Sequence, residues 1–453
     1  MNGILSENLN KSLKYRTKKS ERGNAEQAVS LYLHFPFCVR KCRYCDFLSG
    51  PSDTDVRERY LRALETELRG TAALREMAHP ITVDTIFLGG GTPSLLTGEQ
   101  LMRLMAAVRD CYDVLPDAEI TMECNPGTAD RERLRGFHVA GVNRLSMGVQ
   151  PFRDDELQLL GRIHTAREAR QCYEDARAAG FTNISLDLMS ALPGQTMEAW
   201  MESLRQAAEL EPEHLSAYSL ILEEGTMFSQ MMERGELPPL PEEDLDRQMY
   251  HETKRFLEEH GYYRYEISNY AKDGYESRHN SGYWTGHPYL GLGVGAASYL
   301  GDCRWNHVRN VTKYCEILEQ QGAESCVVPG NGRSMEQAEA TLEEGPVTEH
   351  TAGVGAADTA IPHEGGGSEL YEEVEYLTRE DRMAECMFLG LRRMQGVSEE
   401  QFRRRFGCSM ESVYGKVIRR YEELGMLRRE GGYLALTDPG IDVCNGIMAD
   451  FLL

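Results

Sequence analysis

The sequence predicts an α/β protein, an incomplete (β/α)6 TIM-like barrel followed by a small helical, winged-helix-like C-terminal domain. Six short β-rich apolar runs alternate with longer amphipathic segments between residues 30 and 220, which is typical of βαβ units around a parallel sheet. A second helical region begins at about residue 376, after a stretch rich in Gly, Ala, Glu and Thr. Six strand–helix repeats without a clear seventh and eighth favour a barrel that does not close.

The predicted strands and helices follow one another regularly along the first half of the chain. The strands are Ser30–His34, Thr85–Leu88, Glu119–Glu123, Arg144–Val149, Asn183–Met189 and His214–Leu220. The helices are Asp55–Met77, Thr97–Cys111, Arg131–Gly141, Thr165–Gly180 and Met197–Leu210. Because such barrels collect their functional groups at the carboxyl ends of the strands, we expect the site in the loops that follow each strand.

The C-terminal region combines helical periodicity with one short hairpin. Leu427–Arg429 and Tyr433–Leu436 are predicted strands joined by Gly431 and Gly432, and two or three helices precede them. This order resembles a winged-helix module, a class that often binds DNA, and the basic run Arg403–Phe406 is open to that interpretation. A net charge of −23 favours a solvated helix face in an accessory domain instead, because acidic proteins repel phosphate backbones.

Composition divides the chain into five predicted parts. Residues 1–28 form a polar, basic N-terminal extension, which we interpret as a bacterial extension rather than a transit peptide. Residues 29–300 hold the barrel and the segment after it, and residues 301–329 connect to a disordered insertion or linker at 330–369. Residues 370–453 form the helical accessory domain.

Apolar runs, cysteines and charge exclude several classes of protein. No run of about 18 apolar residues is present, so we expect no transmembrane helix, while peripheral membrane contact stays open. The 12 cysteines follow no disulfide framework, since three are crowded into one short segment and the others are scattered. We therefore expect a cytoplasmic protein with one metal site and no nucleic-acid partner.

Three cysteines in a tight loop follow the first predicted strand. Cys38, Cys42 and Cys45 are spaced CxxxCxxC, and thiolates are soft ligands that suit iron–sulfur clusters or zinc. Structural zinc sites ordinarily have four ligands, and the chain has no second CxxC pair, although a histidine could complete a zinc site. Three thiolates can hold three corners of a cubane and leave the fourth iron open to a cofactor. We therefore predict a [4Fe–4S] cluster on these cysteines.

The loops after the second and third strands carry groups that suit a nucleoside ligand. Gly90, Gly91 and Thr92 belong to a GGGTP segment, whose glycines let the backbone approach a ligand closely with amides as donors. Glu123 ends the third strand, where a carboxylate can accept ribose hydroxyl groups. A tight βα turn and a residue next to a helix cap are the structural alternatives.

Three more polar side chains accompany the fourth and fifth strands. Gln150 follows the fourth strand, and Arg162 opens the next helical region, where its guanidinium can hold a carboxylate. Asp187 lies among apolar residues of the fifth strand, and a buried carboxylate is costly without a partner. We expect these residues to bind a ligand, with purely structural roles as the alternative for each.

The order of these motifs resembles the radical SAM superfamily, in which CxxxCxxC follows the first strand of a partial barrel. The resemblance implies that the open iron binds the amino and carboxylate groups of S-adenosyl-L-methionine (SAM), whose reductive cleavage yields a 5′-deoxyadenosyl radical. It also implies a set of SAM contacts. They are Tyr32, Tyr44, Gly90, Gly91, Thr92, Glu123, Gln150, Arg162 and Asp187.

Long shared phrases narrow the resemblance to the oxygen-independent coproporphyrinogen III oxidase-like family. They include YLHFPFC, FLGGGTPSLL, NRLSMGVQ and LDLMSALPGQT. The oxidases themselves typically carry a fourth cysteine two residues past the third, where this chain has Phe47. The phrase HNSGYW at residues 279–284 matches the HNxxYW motif of the heme chaperone (HemW) branch.

That branch implies a heme site on His279, Tyr283 and Trp284. An imidazole can ligate iron, and the two aromatic rings offer flat apolar surface to a porphyrin. The structural alternative is a surface histidine beside two core aromatic residues. Related chains often carry a histidine in the following glycine-rich run, where this chain has Ala297. Further candidate heme ligands are His287 and His307.

Three functions fit the sequence, and we favour the first. It is a heme chaperone that transfers heme to an acceptor protein, with an electron donor protein as partner and with the cluster and an exchangeable SAM controlling assembly or release. The second is an oxygen-independent coproporphyrinogen III dehydrogenase, a radical oxidative decarboxylase, which the missing fourth cysteine disfavours. The third is a radical SAM methyltransferase. All three share the cluster, and the sequence assigns no catalytic residue.

Overall fold

This computed structural model of the protein describes residues 28–73, 80–322 and 369–452. The predicted N-terminal extension and the predicted insertion lie outside these ranges, except for their last residues, 28 and 369. The division of the chain into five parts stays a prediction.

Six parallel strands in chain order form the barrel, and all six predicted strands are confirmed. They are β1 Val29–Phe35, β2 Thr82–Gly90, β3 Asp113–Cys124, β4 Arg144–Met147, β5 Ile184–Ser190 and β6 His214–Ser219. Each strand pairs in parallel with the next, as Leu33 does with Leu88 between β1 and β2. The loops that follow these strands therefore meet at one end of the barrel, as the sequence predicted.

Successive side chains of these strands alternate between an apolar outer face and a polar interior. Leu31 and Leu33 of β1 belong to the main hydrophobic core and are almost fully buried. The side chains that alternate with these leucines face the barrel interior and contact one another. The Thr85 hydroxyl, for example, donates to Ser30 Oγ at 2.8 Å. The barrel interior therefore contains a hydrogen-bonded polar network. Its buried members include Ser30, Thr85, Glu119, Thr121, Arg144, Ser185 and His214.

Helices cover the outside of the barrel, and the five predicted helices are confirmed. The first six are α1 Thr54–Ala73, α2 Gly98–Cys111, α3 Arg131–Ala140, α4 Asp154–Leu160, α5 Ala166–Ala179 and α6 Met197–Glu209. Thr97 and Thr165 cap α2 and α5 through capping boxes. Gly141 and Gly180 end α3 and α5 with φ of 108° and 106°, a conformation that glycine adopts without strain.

The sheet continues past the barrel on both edges, which the sequence did not predict. β9 pairs in parallel with β1 and leads to antiparallel β10, β11 and β12, while β8 and β7 extend the edge at β6. These strands have only two to six residues, too few for a recognisable alternation. They are β7 Tyr263–Arg264, β8 Asn269–Ala271, β9 Tyr289–Leu292, β10 Ala297–Leu300, β11 Cys303–His307 and β12 Tyr371–Tyr376.

Four further helices and a small C-terminal domain complete the described fold. The helices are α7 Met227–Glu233, α8 Glu243–Glu259, α9 Arg278–Thr285 and α10 Val311–Gln321. The C-terminal domain, which confirms the prediction, has a three-stranded sheet in the order β13-β15-β14. Its elements are α11 Arg379–Gly390, β13 Val397–Ser398, α12 Glu399–Phe406, α13 Met410–Glu423, β14 Leu427–Glu430, β15 Tyr433–Leu436, α14 Asp438–Asp442 and α15 Cys444–Ala449. Over the ranges described, no helix is both long and apolar enough for a membrane crossing.

Basic side chains of the C-terminal sheet are neutralised by acids of the same domain. Arg429 contacts Glu399 at 2.9 Å, and it also contacts Glu411 at 2.6 Å and Glu422 at 2.8 Å. Charges paired in this way offer little attraction to a phosphate backbone. In the basic run Arg403–Phe406, Arg403 contacts Glu400 at 3.3 Å and the Arg405 guanidinium donates to the Tyr299 hydroxyl at 3.2 Å, which favours the accessory-domain interpretation over a DNA-binding surface.

Candidate functional site at the carboxyl end of the barrel

The cysteine loop follows β1 at the carboxyl end of the barrel. The Cys38 N–H donates to the Gly50 carbonyl at 2.9 Å, which closes the loop, and the Arg43 N–H donates to the Leu160 carbonyl at 3.1 Å, which docks it onto α4. Phe47, where the oxidases have a fourth cysteine, is 67% exposed. Contacts within the chain thus hold the loop against the barrel, with an apolar side chain at its rim.

The three predicted cluster ligands are partly exposed thiols. Cys38 Sγ accepts the Thr92 hydroxyl at 3.4 Å, and Cys42 Sγ accepts the Arg162 guanidinium at 3.5 Å. Burial raises the pKa of the Cys45 thiol. Among the residues that the structure describes, no three His, Cys, Asp or Glu side chains converge closely enough to hold one metal ion. Three soft thiols on one short loop are nevertheless the donors that an iron–sulfur cluster uses.

The glycine segment after β2 packs against the cysteine loop. The N–H groups of Gly91 and Thr92 each donate to a carbonyl near the end of β1 at 2.8 Å, and the Gly90 N–H donates to Glu123 at 3.0 Å. A Cβ on Gly91 would lie 2.7 Å from the Phe37 carbonyl oxygen, so this approach requires glycine. The sequence suggested these amides as donors to a ligand, whereas the structure uses all three within the protein.

Two desolvated carboxyl groups face the barrel mouth, Glu123 from β3 and Asp187 from β5. Asp187 accepts hydrogen bonds from Ser146 at 3.0 Å and from Ser185 at 3.2 Å. Burial and then repulsion from Asp187 raise the pKa of Glu123 to about 8. Burial likewise raises the pKa of Asp187. Such a pair favours a ligand that brings hydroxyl donors or positive charge.

Arg162 is the centre of a polar network at the same mouth. Its guanidinium donates to Asn125 Oδ1 at 2.5 Å and to the Gly148 carbonyl, while its Nε is buried without a hydrogen-bond partner. Asn125 also donates to the Thr92 hydroxyl at 2.9 Å. An unpartnered buried N–H favours an anionic ligand group. The sequence analysis missed Asn125, and its place two residues after the strand-end Glu123 was the available signal.

Gln150, Tyr32 and Tyr44 complete the predicted SAM contacts. Gln150 has a φ of 63°, which is strained for a residue other than glycine, and its N–H donates to the Asp187 carbonyl at 2.7 Å. The Tyr32 hydroxyl lies 2.9 Å from His34 Nδ1. Burial raises the pKa of Tyr44, which stands between two cysteines of the loop. Thr92 and Arg162 thus contact cysteines of the loop, while Gln150 contacts Asp187 and Tyr32 contacts His34.

The HNxxYW motif lies on α9, at the opposite end of the barrel interior. His279 is 1% exposed, and its ring nitrogens contact Thr85 Oγ1 at 2.8 Å and Tyr283 Oη at 2.9 Å. Burial lowers the pKa of His279 to about 3. The structural alternative, a surface histidine, is wrong, because α9 closes the barrel and points His279 inward. Binding of iron by Nε2 would require the Tyr283 hydroxyl to release that nitrogen.

Trp284 lies on the other side of α9, against the C-terminal domain. The Arg392 guanidinium lies 4.4 Å from the Trp284 ring centroid, and Trp284 Nε1 has no hydrogen-bond partner. The Tyr283 ring packs edge-on against His279 at 5.3 Å and against Tyr289 at 4.9 Å. The motif residues thus span α9 from the barrel interior to the domain interface.

The other two candidate heme ligands differ in accessibility. His287 is partly exposed, and its Nε2 lies 3.4 Å from Asp84. His307 is buried in an ion pair with Glu67, and its Nδ1 contacts a backbone carbonyl at 2.9 Å. Both ring nitrogens of His307 are therefore engaged. Ala297 begins β10 and pairs with Asn306 of β11.

Comparisons with known proteins give matches for both the barrel and the C-terminal domain. Residues 32–207 match the radical SAM superfamily, and residues 377–443 match the HemN C-terminal domain. The chain is 35% identical to the heme chaperone HemW of Bacillus subtilis (strain 168), over 93% of this chain and 99% of the relative. It is 43% identical to the heme chaperone HemW of Escherichia coli (strain K12), over 59% of this chain and 69% of the relative.

A solved structure shares the fold. Coproporphyrinogen III oxidase (HemN) from Escherichia coli, described as a radical SAM enzyme, superposes with a TM-score of 0.74 at 23% identity. The match covers 94% of this chain and 90% of the other. At this identity the likeness shows a common architecture of barrel and C-terminal domain.

Proposed function

The chain belongs to the HemW family of the radical SAM superfamily, and from this premise we propose that it is a heme chaperone. It binds heme and transfers it to an acceptor protein, and it carries a [4Fe–4S] cluster with an exchangeable SAM. The observation that carries the proposal is the match to the Bacillus subtilis heme chaperone, which extends over 99% of that protein.

In this proposal the carboxyl end of the barrel holds the cluster and SAM. When bound, they supply one-electron chemistry. Arg162 binds a carboxylate, which its unpartnered Nε supports. Glu123 and Asp187 accept hydrogen bonds from ribose hydroxyl groups. These hydrogen bonds stabilise two carboxyl groups that burial has removed from water. The cluster ligands are Cys38, Cys42 and Cys45.

Helix α9 supplies the heme site in this proposal. His279 ligates the iron, and Tyr283 and Trp284 contact the porphyrin. Because Thr85 and Tyr283 occupy both ring nitrogens of His279, heme binding requires α9 to shift. The partly exposed His287, two residues beyond α9, is the alternative ligand.

We propose an acceptor protein and an electron donor protein as partners, and a cytoplasmic location. Every cysteine among the described residues is a free thiol, which suits a reducing compartment. The net charge of −23 and the internally paired arginines of the C-terminal domain argue against a nucleic-acid partner.

Anaerobic heme titration of the reconstituted protein, followed by the Soret band, tests the proposal. The wild type is expected to saturate near one heme per chain, and His279→Ala is expected to weaken binding about tenfold or more, at least ~1.4 kcal/mol. His260→Ala is the control, because His260 lies at the end of α8 with its Nδ1 2.7 Å from the Phe256 carbonyl.

The titration also distinguishes the two candidate heme ligands and the chaperone from the decarboxylase. A loss of affinity in His287→Ala but not in His279→Ala would assign the ligand to His287. Absence of saturable binding in the wild type would contradict the chaperone proposal. Conversion of coproporphyrinogen to protoporphyrinogen under reducing anaerobic conditions would then favour the decarboxylase.

A further inference from the structure

A continuous chain of hydrogen bonds crosses the barrel interior from the SAM pocket to α9. Asp187 Oδ1 lies 3.2 Å from Ser185 Oγ, which lies 2.8 Å from His214 Nδ1. His214 Nε2 lies 2.8 Å from Tyr265 Oη, and Tyr265 Oη accepts the Ser277 N–H at 3.4 Å. Ser277 is the N-cap of α9, the helix that carries the heme motif. We call these five residues the interior relay.

The interior relay has one direction of donation, because its first member is a carboxylate that, when ionised, can only accept. The single hydroxyl hydrogen of Ser185 donates to Asp187, so Ser185 accepts the His214 Nδ1–H. The neutral His214 ring then accepts the Tyr265 hydroxyl at Nε2, and the Tyr265 oxygen accepts the Ser277 N–H. The chain of donors therefore ends on a carboxylate and depends on that carboxylate as its acceptor.

Arg144 keeps the relay histidine in the form that this direction requires. Arg144 is 1% exposed in the barrel interior, and its Nε has no hydrogen-bond partner. Burial and then the charge of Arg144 lower the pKa of His214 well below its ordinary value. A neutral imidazole has one donor and one acceptor nitrogen, as the relay needs.

A second interior anchor holds the same end of α9. Glu119 accepts the Arg278 N–H at 2.9 Å and the His279 N–H at 3.0 Å. Glu119 and the Tyr265 hydroxyl are therefore two of the acceptors that hold the amino end of α9. While both hold, His279 stays in contact with the barrel interior.

We propose that the interior relay couples the two sites, so that SAM at Asp187 weakens heme binding at α9. The inference rests on the proposed function. A ligand hydroxyl or cation stabilises the ionised carboxylate, and an ionised acceptor strengthens the hydrogen bonds that lead to it. The amino end of α9 is then held more firmly, and His279 remains unavailable to iron. Tyr265 is a positioning residue of the interior relay.

Hydrogen–deuterium exchange of residues 277–285 tests the relay without heme. SAM is added to cluster-reconstituted wild type and to Tyr265→Phe, which lacks the central hydroxyl. Tyr262→Phe is the matched control, because its buried hydroxyl donates to the Pro212 carbonyl at 2.7 Å, outside the relay. SAM is expected to slow exchange about fivefold or more in the wild type and the control. No slowing is expected in Tyr265→Phe.

Heme titration with and without SAM gives the second readout. The heme Kd is expected to rise about fivefold or more with SAM in the wild type and in Tyr262→Phe, and to be unchanged by SAM in Tyr265→Phe. Ser185→Ala interrupts the relay at another link and is expected to behave like Tyr265→Phe, which distinguishes lost coupling from a folding defect of one variant.

The outcomes separate this inference from the proposed function. A SAM effect that persists in both interrupted variants overturns the relay, and so does the absence of any SAM effect on α9 in the wild type. If the wild type binds no heme while SAM still protects α9 through Tyr265, the chaperone proposal fails and the relay stands.

Discussion

Glu123, Asp187 and His279 are ionisable side chains that the barrel removes from water. Burial raises the pKa of Glu123 to about 8 and lowers that of His279 to about 3. At neutral pH His279 is therefore neutral, as an iron ligand must be, and Glu123 carries a proton. A ligand that reaches these residues changes their charge as well as their contacts.

Glu123 makes the stability of the ligand-free protein depend on pH. Its pKa is about 8 in the folded protein against an ordinary 4.5, so the folded state retains a proton that the unfolded chain has released. This contribution to the free energy of unfolding is fully present below pH 4.5 and is lost as the pH rises to about 8. Glu123→Gln is expected to lose less stability across this window in urea unfolding. Identical pH profiles of the two proteins would contradict the assignment.

Glu67 and His307 form an ion pair that the structure buries completely, with side-chain exposures of 0% and 1%. Glu67 also accepts the Gly293 N–H at 2.9 Å, so the pair holds the glycine-rich loop after β9. Removal of one partner leaves an uncompensated charge, and His307→Gln is expected to lower the free energy of unfolding by about 3 kcal/mol. In a double-mutant cycle by chemical denaturation, Glu67→Gln with His307→Gln should cost less than the sum. Additive losses would show that the pair is not coupled.

At the scale of elements, the cysteine loop and α9 lie at opposite ends of the barrel. The cysteine loop docks on α4 and on the glycine segment, at the carboxyl ends of the strands. Helix α9 closes the opposite end through Thr85 and Glu119. Hydrogen bonds between polar interior side chains connect the two ends, and so does the Phe87 ring, which packs against Tyr32 and His279.

Loss of any one thiol of the cysteine loop is expected to prevent stable cluster assembly. Each of the three thiols ligates a separate iron of the cubane, and the fourth iron has no protein ligand. No other thiol of the loop can therefore replace one that is lost. The variants Cys38→Ser, Cys42→Ser and Cys45→Ser should retain little iron and sulfide after anaerobic reconstitution. Cys111→Ser, at the end of α2, is the control and should match the wild type. Normal iron content in any of the three loop variants would remove that cysteine from the ligand set.

On the scale of the whole molecule, the extended sheet and α8 attach the C-terminal domain to the barrel. Arg304 of β11 contacts Glu385 at 2.8 Å, and Arg264 of β7 contacts Asp438 at 3.0 Å. The Arg264 side chain is only 3% exposed while Asp438 is 59% exposed, so this ion pair lies at the edge of the interface. The accessory domain is thus fixed beside α9, where the proposed heme site meets it.

Arg392 is expected to be the side chain that most directly links this domain to α9. It stacks on Trp284 at 4.4 Å and lies 3.8 Å from the buried Glu266. Arg392→Ala leaves Glu266 without its cation, and it should lower the free energy of unfolding by about 2 kcal/mol and shift the fluorescence of Trp284. Arg382→Ala on α11 is the control, since Arg382 contacts the Thr378 carbonyl of its own helix. Equal effects of the two variants would argue against this link.

The sequence by itself determined the features that depend on local pattern. Strand and helix periodicity predicted the six barrel strands and the helices between them. The spacing of Cys38, Cys42 and Cys45 predicted one shared loop, and strand order predicted that the polar residues after successive strands would meet.

Only the tertiary structure decided what depends on contacts between distant segments. The edge strands are too short to show a period, and pairing with β1 and β6 defines them. Asn125 belongs to the site because it accepts a hydrogen bond from Arg162. The amides of the glycine segment donate to Glu123 and to carbonyls at the end of β1 and just after it. The sequence predicted His279 as a heme ligand, with a surface histidine as the alternative, and only the fold shows that α9 points it into the barrel. Local periodicity reports which side chains are buried, while the partner of a buried polar group is chosen by the fold, because such a group must be satisfied wherever it is placed.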